Sequence, residues 1–143
     1  EMNRSIVRQR WLATMQHFES FVIDLPKPPL IEVVSIKYRD YEGEEQTVEP
    51  EIYRSSALGH RGKVFPKPGE SWPATSGEPD AVQIEYLSGF GSVDKVPEMI
   101  KVGILQLVEH WYYNSGVSHI GVSASPMEFA AQSIFRKNRV IPA

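Results

Sequence analysis

One stretch, Val96 to Gly116 (VPEMIKVGILQLVEHWYYNSG), narrows the possible folds of this chain more than any other, because it encodes a long helix with both ends marked. Pro97 stands where a first helical turn tolerates proline, since the missing N–H would have no intrahelical partner there. Glu98 beside it complements the positive end of the helix dipole. Ile100, Ile104, Leu107, Val108 and Trp111 recur at helical spacing on one face, while Lys101, Gln106, Glu109 and His110 fall mostly on the other. Asn114-Ser115-Gly116 supplies the stop. Just upstream, Val82, Ile84 and Tyr86 alternate with Gln83, Glu85 and Leu87, which predicts a strand that ends in Gly89-Phe90-Gly91 and turns sharply into the helix.

The remaining segments fill in an α+β chain. Val7, Trp11, Met15 and Phe18 are spaced by four, four and three, which predicts a helix to about His17. No capping residue precedes it, so residues 1–22 are expected to be the end of a longer helical region. The prolines of Asp24-Leu25-Pro26-Lys27-Pro28-Pro29 stop any helix. From Leu30 to Asp40 the period changes to two, with Val34, Ile36 and Tyr38 on one side of a half-buried strand and Val33, Ser35, Lys37 and Arg39 on the other. Tyr41-Glu42-Gly43-Glu44 turns the chain, and the stretches 46–48 and 52–54 return it. A short pair of strands flanks Gly59-His60-Arg61-Gly62, and a Pro- and Gly-rich loop over 66–79 is expected to be ordered by Trp72. After Gly116 come small and polar residues, then a short helix opened by Pro126, with Met127, Phe129, Ala130, Ser133 and Ile134 on its apolar face and Arg136, Lys137 and Arg139 near its end. The expected division is therefore an N-terminal helix over 1–22, an inserted β domain over 23–91, a main helix over 92–116 completing a helical core, and a linker with a C-terminal arm over 117–143.

Chemistry is sparse. With 143 residues, no cysteine and 15 Lys+Arg against 18 Asp+Glu, the chain can hold neither disulfides nor thiolate metal sites. Its net charge of -3 argues against a surface evolved to neutralise phosphates. No run approaches the roughly 18 to 20 apolar residues that span a bilayer, and no basic-then-apolar leader opens the chain, so the expectation is a soluble protein without a membrane role. The four histidines share no metal-ligand spacing, and Glu109 and His110, adjacent on a helix, point about 100 degrees apart. Ser88-Gly89-Phe90-Gly91-Ser92 lacks the lysine and hydroxyl that follow a phosphate-binding loop. The carboxylates at 42, 44, 45, 49 and 51 are those of a solvated hairpin tip, with nothing nearby to raise one pKa for acid catalysis. Trp111-Tyr112-Tyr113 suits core or subunit packing, with base or sugar stacking as the other use of such a triplet. Neither an enzyme nor a cofactor is expected.

Taken in order, the segments resemble the tailed-phage head-to-tail connector, or adaptor, proteins that also occur in prophages and gene transfer agents. The matching residues are Arg8-Gln9-Arg10-Trp11, Leu25-Pro26-Lys27-Pro28-Pro29, Tyr38-Arg39-Asp40 with Gly43 at the turn, Trp72-Pro73, Val82-Gln83-Ile84-Glu85-Tyr86 leading to Gly89-Phe90-Gly91, and Val96-Pro97 opening a helix that closes on His110-Trp111-Tyr112. The resemblance implies a non-catalytic virion protein forming a homo-oligomeric ring, a dodecamer, below the portal at the capsid vertex. Portal protein and a tail or stopper protein would be its partners, and DNA would pass through its hole without sequence-specific binding. It departs from the family's ending in leucines and an arginine, since Phe129 and Ile134 stand there. A docking arm to the portal would use Phe129, Ile134, Phe135, Arg136, Lys137 and Arg139, and subunit packing would use Trp11, Trp111 and Tyr112. The competing reading is a non-enzymatic binding module, a monomer or small oligomer working through its sheet surface.

Overall fold

The computed structural model of the chain describes residues 3–59, 61–114, 126–137 and 139. Among the described residues, two antiparallel sheets, two α-helices and one 3-10 turn make an α+β arrangement. Strands β1 (Gln9–Met15), β7 (Val82–Ser88), β3 (Leu30–Arg39) and β4 (Glu45–Thr47) lie side by side in that order. A smaller sheet holds β2 (Ile23–Leu25), β6 (Gly62–Pro66) and β5 (Tyr53–Ser56). One apolar cluster joins them, drawing Ile36, Val82, Ile84 and Tyr86 from the larger sheet and Ile23, Leu25, Tyr53 and Val64 from the smaller. Burial of such side chains is worth roughly 1.5 to 3 kcal/mol each. It is the main force holding the two layers together.

The segment expected to be the first helix is a strand. Its residues Gln9–Met15 pair without a break against Val82–Ser88, with Trp11 opposite Tyr86 and Ala13 opposite Ile84. A spacing of four satisfies period two as well as period 3.6, so Trp11 and Met15 fit either structure, and pairing to β7 decides. The sheet is therefore not inserted between helices, because the stretch 1–22 supplies its edge. Strand β2 begins at Ile23, at the entry to the proline-rich stretch, and pairs with β6.

Strand β3 also departs from simple alternation. Register shifts between Leu30 and Glu32 and between Val33 and Ser35 mark two bulges, each adding one residue on β3 against its partner. The second moves Val33 against the core and leaves Val34, expected on the same side as Ile36, 42% exposed. Ile36 remains fully buried.

Turn chemistry follows the sequence closely. Asp40 accepts hydrogen bonds from the Glu42 and Glu44 backbone N–H groups at 3.0 Å and from the Gln46 amide at 3.1 Å, which fixes the β3–β4 turn around Gly43 at φ +83°. The Gln46 bond, with the backbone donors behind it, holds the Asp40 carboxyl below the usual carboxylate range. The indole N–H of Trp72 donates to the Phe21 carbonyl at 3.1 Å while its ring stacks on Phe18, with centroids 4.7 Å apart. Loop 66–79 is thus tied down by the tryptophan expected to order it.

Tyr86 is the polar anchor of the core. Its hydroxyl donates to the Pro26 carbonyl at 2.9 Å, and burial pushes its pKa up to about 12. The folded state therefore holds this proton more tightly than the unfolded chain, whose tyrosines ionise near 10. Its contribution to stability is present in full below about pH 10 and is lost as pH rises through about 12. Tyr86→Phe is expected to cost about 1 to 2 kcal/mol at neutral pH by leaving the Pro26 carbonyl unpaired, and to flatten the alkaline decline. Urea unfolding at pH 7 and at pH 11 measures both effects.

Candidate assembly interface

Helix α1 (Glu98–Asn114) starts where the sequence places it, with the Pro97 carbonyl accepting the Ile100 N–H at 2.9 Å. A 3-10 turn, Val93–Lys95, leads into it from Gly91. Helix α2 (Pro126–Lys137) packs along α1. Contact is close at Gly103, where an added Cβ would lie 3.2 Å from the Phe135 ring and 3.4 Å from Ile134 Cγ2. Ile100, Ala131 and Ile134 are buried in the helix pair. A mid-helix glycine costs about 1 kcal/mol in propensity against alanine, so close approach is the reason to keep one here. Gly103→Ala should be nearly neutral, the propensity gain offsetting a small shift of Phe135. Gly103→Leu should cost about 1 to 3 kcal/mol by overpacking and loosen α2, seen as lost amide protection in both helices.

Covering one face leaves the other bare. Leu105 is 66% exposed, Val108 52%, Trp111 62% and Tyr112 77%, with Met99, Val102 and Tyr113 exposed beside them. The expected inner stripe is thus only partly inside, since Ile100 is buried while Val108 and Trp111 face out. A contiguous run of exposed apolar side chains on a helix commonly marks a contact surface. The two tyrosine rings meet edge to face at 5.6 Å, which makes the end of α1 an aromatic knob.

Each residue expected at a partner surface has a definite setting or lies outside the described side chains. Trp11 is half-buried against the core, donating its indole N–H to Ser5 Oγ at 3.0 Å, with the Lys27 ammonium 5.8 Å from its ring centroid. Trp111 and Tyr112 are exposed near the end of α1. Ile134 is turned toward α1 and is not available in this conformation. Phe135, Arg136 and Arg139 line, with Gln132, a hollow of about 400 Å³, and Lys137 is exposed beside it. The Phe129 side chain and the linker 115–125 lie outside the described residues. Arg136, Lys137 and Arg139 make no ion pair among the described residues.

The outer face of the larger sheet is the other extended surface. Arg10 Nη1 reaches Glu85 at 3.0 Å, Lys37 reaches Glu45 at 2.7 Å, Arg39 reaches Glu78 at 3.2 Å and Arg8 approaches Glu32 at 3.7 Å. The Glu45 hydrogen bond raises the Lys37 pKa and lowers that of Glu45 itself. These exposed pairs add little to stability but leave the face self-neutralised. Leu12 sits among them, 57% exposed.

Among the described residues no group of three or more His, Cys, Asp or Glu side chains is placed to hold a metal ion, and no helix is long and apolar enough to cross a membrane. Comparison with solved structures identifies the fold. A chain in the neck of a native GTA particle, computed with C12 symmetry, superposes with a TM-score of 0.73 over 98% of this chain and 74% of its own, at 20% identity. The chain has a gene transfer agent neck fold. A chain of the virion of a native gene transfer agent matches with a TM-score of 0.73 at 19% identity over 98% and 69%, and one in the neck of an empty GTA particle, computed with C6 symmetry, with 0.74 at 18% over 98% and 70%. No protein-family model and no curated protein sequence matches the chain. The neck fold thus persists here at low identity. Leu105 and Val102, exposed on the side of α1 away from Ile100, were not singled out in the sequence.

Proposed function

We propose that the chain is a structural subunit of the neck of a phage-like particle or gene transfer agent, a head-to-tail connector forming a ring below the portal. The ring joins head to tail and leaves DNA a passage. The observation that carries this reading is the bare apolar side of α1 in a chain with the neck fold. A self-sufficient monomer gains nothing from that surface, whereas a ring subunit needs patches for its neighbours. The symmetric necks from which the similar chains come support a ring, and twelve copies fit the C12 case. Trp111 and Tyr112 serve subunit packing. A net charge of -3 and self-paired sheet charges keep DNA from adhering as it passes, since many phosphate contacts would oppose ejection.

The end of α2 is the portal-docking element in this reading. Arg136, Lys137 and Arg139 can pair with carboxylates on a partner, and Phe135 beside them offers an apolar anchor. Reversing the three charges to glutamate leaves the buried Ile134 contact in place. Binding to portal-bearing, tailless heads should then fall at least about tenfold at low salt, with a shallower salt dependence. Full-strength binding by the reversed variant would remove the docking role from α2.

A further inference from the structure

If the chain forms a ring, the bare side of α1 has to meet a different surface on the next copy. A patch that met its own twin would close a two-fold dimer and stop. Outside the helices, large exposed apolar side chains of the described residues fall mainly at two places. One is around the smaller sheet, with Phe21 and Val22 before β2 and Leu58 after β5, and the other is the larger sheet and the segment leading into it, with Val7, Leu12, Ile31 and Val34.

The second is the surface built for cover. Leu12 shares the outer face of β1 with Arg10 and Thr14, since Trp11, Ala13 and Met15 pack inward. Across the pairing, Leu12 stands opposite Glu85, which stands opposite Ser35, next to the bulged Val34. Two bulges on one strand leave Ile31 and Val34 exposed, and a bulge is a device that re-aims side chains. The charges of this face are already paired, Arg10 with Glu85 and Arg8 with Glu32, so covering it strands no ion. On the other side, Glu109 is exposed on α1 and makes no ion pair among the described residues, while Arg8 and Arg10 remain well exposed despite their partners. Apolar groups and charge are therefore complementary between the two surfaces.

The geometry points to a head-to-tail contact in which the bare side of α1, centred on Leu105 and Val108, lies on the outer face of β1 and β3 around Leu12 and Val34 of the next copy. This deepens the ring reading and rests on it. Repeating the contact gives each subunit one helical and one sheet interface.

Absence of cysteine makes the test clean, because any disulfide between copies of this chain must join introduced residues. Leu12→Cys and Leu105→Cys variants, both at exposed positions, are incorporated into particles separately, mixed, and combined in one chain, then oxidised and run on non-reducing gels. Rings are checked by electron microscopy before oxidation. The mixed variants should give a crosslinked dimer, the combined variant a ladder of multimers, and L105C alone only monomer. Rings in which L105C alone gives dimers would overturn the proposal in favour of helix against helix. Rings with no crosslink from the mixed or combined variants would overturn it as well. Failure to find any ring, with wild-type chain in the particles, would instead defeat the ring reading on which it rests.

Discussion

Gly89→Ala is expected to destabilise the fold by about 3 to 5 kcal/mol, lowering the melting temperature by roughly 10 °C or more. Gly89 has φ +121°, closed to side-chain-bearing residues, and an added Cβ would lie 2.2 Å from the Val7 carbonyl oxygen, well inside contact distance. The neighbour cannot yield cheaply because it is backbone held on several sides. Gly89 N–H donates to the Pro29 carbonyl at 2.8 Å, Phe90 N–H to the Ile6 carbonyl at 3.2 Å, and Ser5 N–H to the Pro28 carbonyl at 3.0 Å. Beneath them Ser88 and Ser5, both buried, share a hydroxyl bond of 2.8 Å. Gly91→Ala is the control, since φ is +78° but nothing lies within 4 Å of the added atom. It should cost about 1 to 2 kcal/mol through backbone strain alone. Thermal unfolding of the two variants side by side measures the difference, and equal losses would mean that the crowding by Val7 is not felt.

Leu105→Asp is expected to leave the fold intact and abolish incorporation into rings. In the isolated chain the side chain faces water, so the change should alter stability by no more than about 0.5 to 1 kcal/mol. Under a neighbouring subunit the same carboxylate would be buried without a partner, at a cost of several kcal/mol and a loss of at least about 100-fold in assembly. Ile100→Asp, one turn away but fully buried, should instead unfold the helix pair. Circular dichroism separates the two, and recovery of each variant from purified particles gives the assembly readout. Normal incorporation of L105D would show that α1 is bare for another reason.

Residues whose local chemistry was self-sufficient were legible in the sequence. Asp40 with Gly43 makes its turn by bonds within six residues, Pro97 marks the helix start, and Val82, Ile84 and Tyr86 alternate without interruption, all three buried. What depended on distant pairing was not. Trp11 and Met15 fit either period, and only β7 makes them a strand. Val34 faces out because two bulges break the count on β3, and no residue type there announces a bulge. Packing of α2 along α1 was half visible, since Gly103 in a helix interior asks for a close neighbour, but the sequence does not say that Phe135 and Ile134 are that neighbour. The candidate interface was legible as to element and not as to face. An apolar helix declares that it will be covered, and only the position of α2 tells which side remains open.

Electron microscopy of the particle that contains this chain, with averaging about the tail axis, tests the central claim most directly. The expected density is a closed ring of copies between head vertex and tail, with the bare side of α1 against the adjacent copy and an open channel on the axis. A particle neck without this chain, or the chain recovered only as a free monomer, would contradict the account.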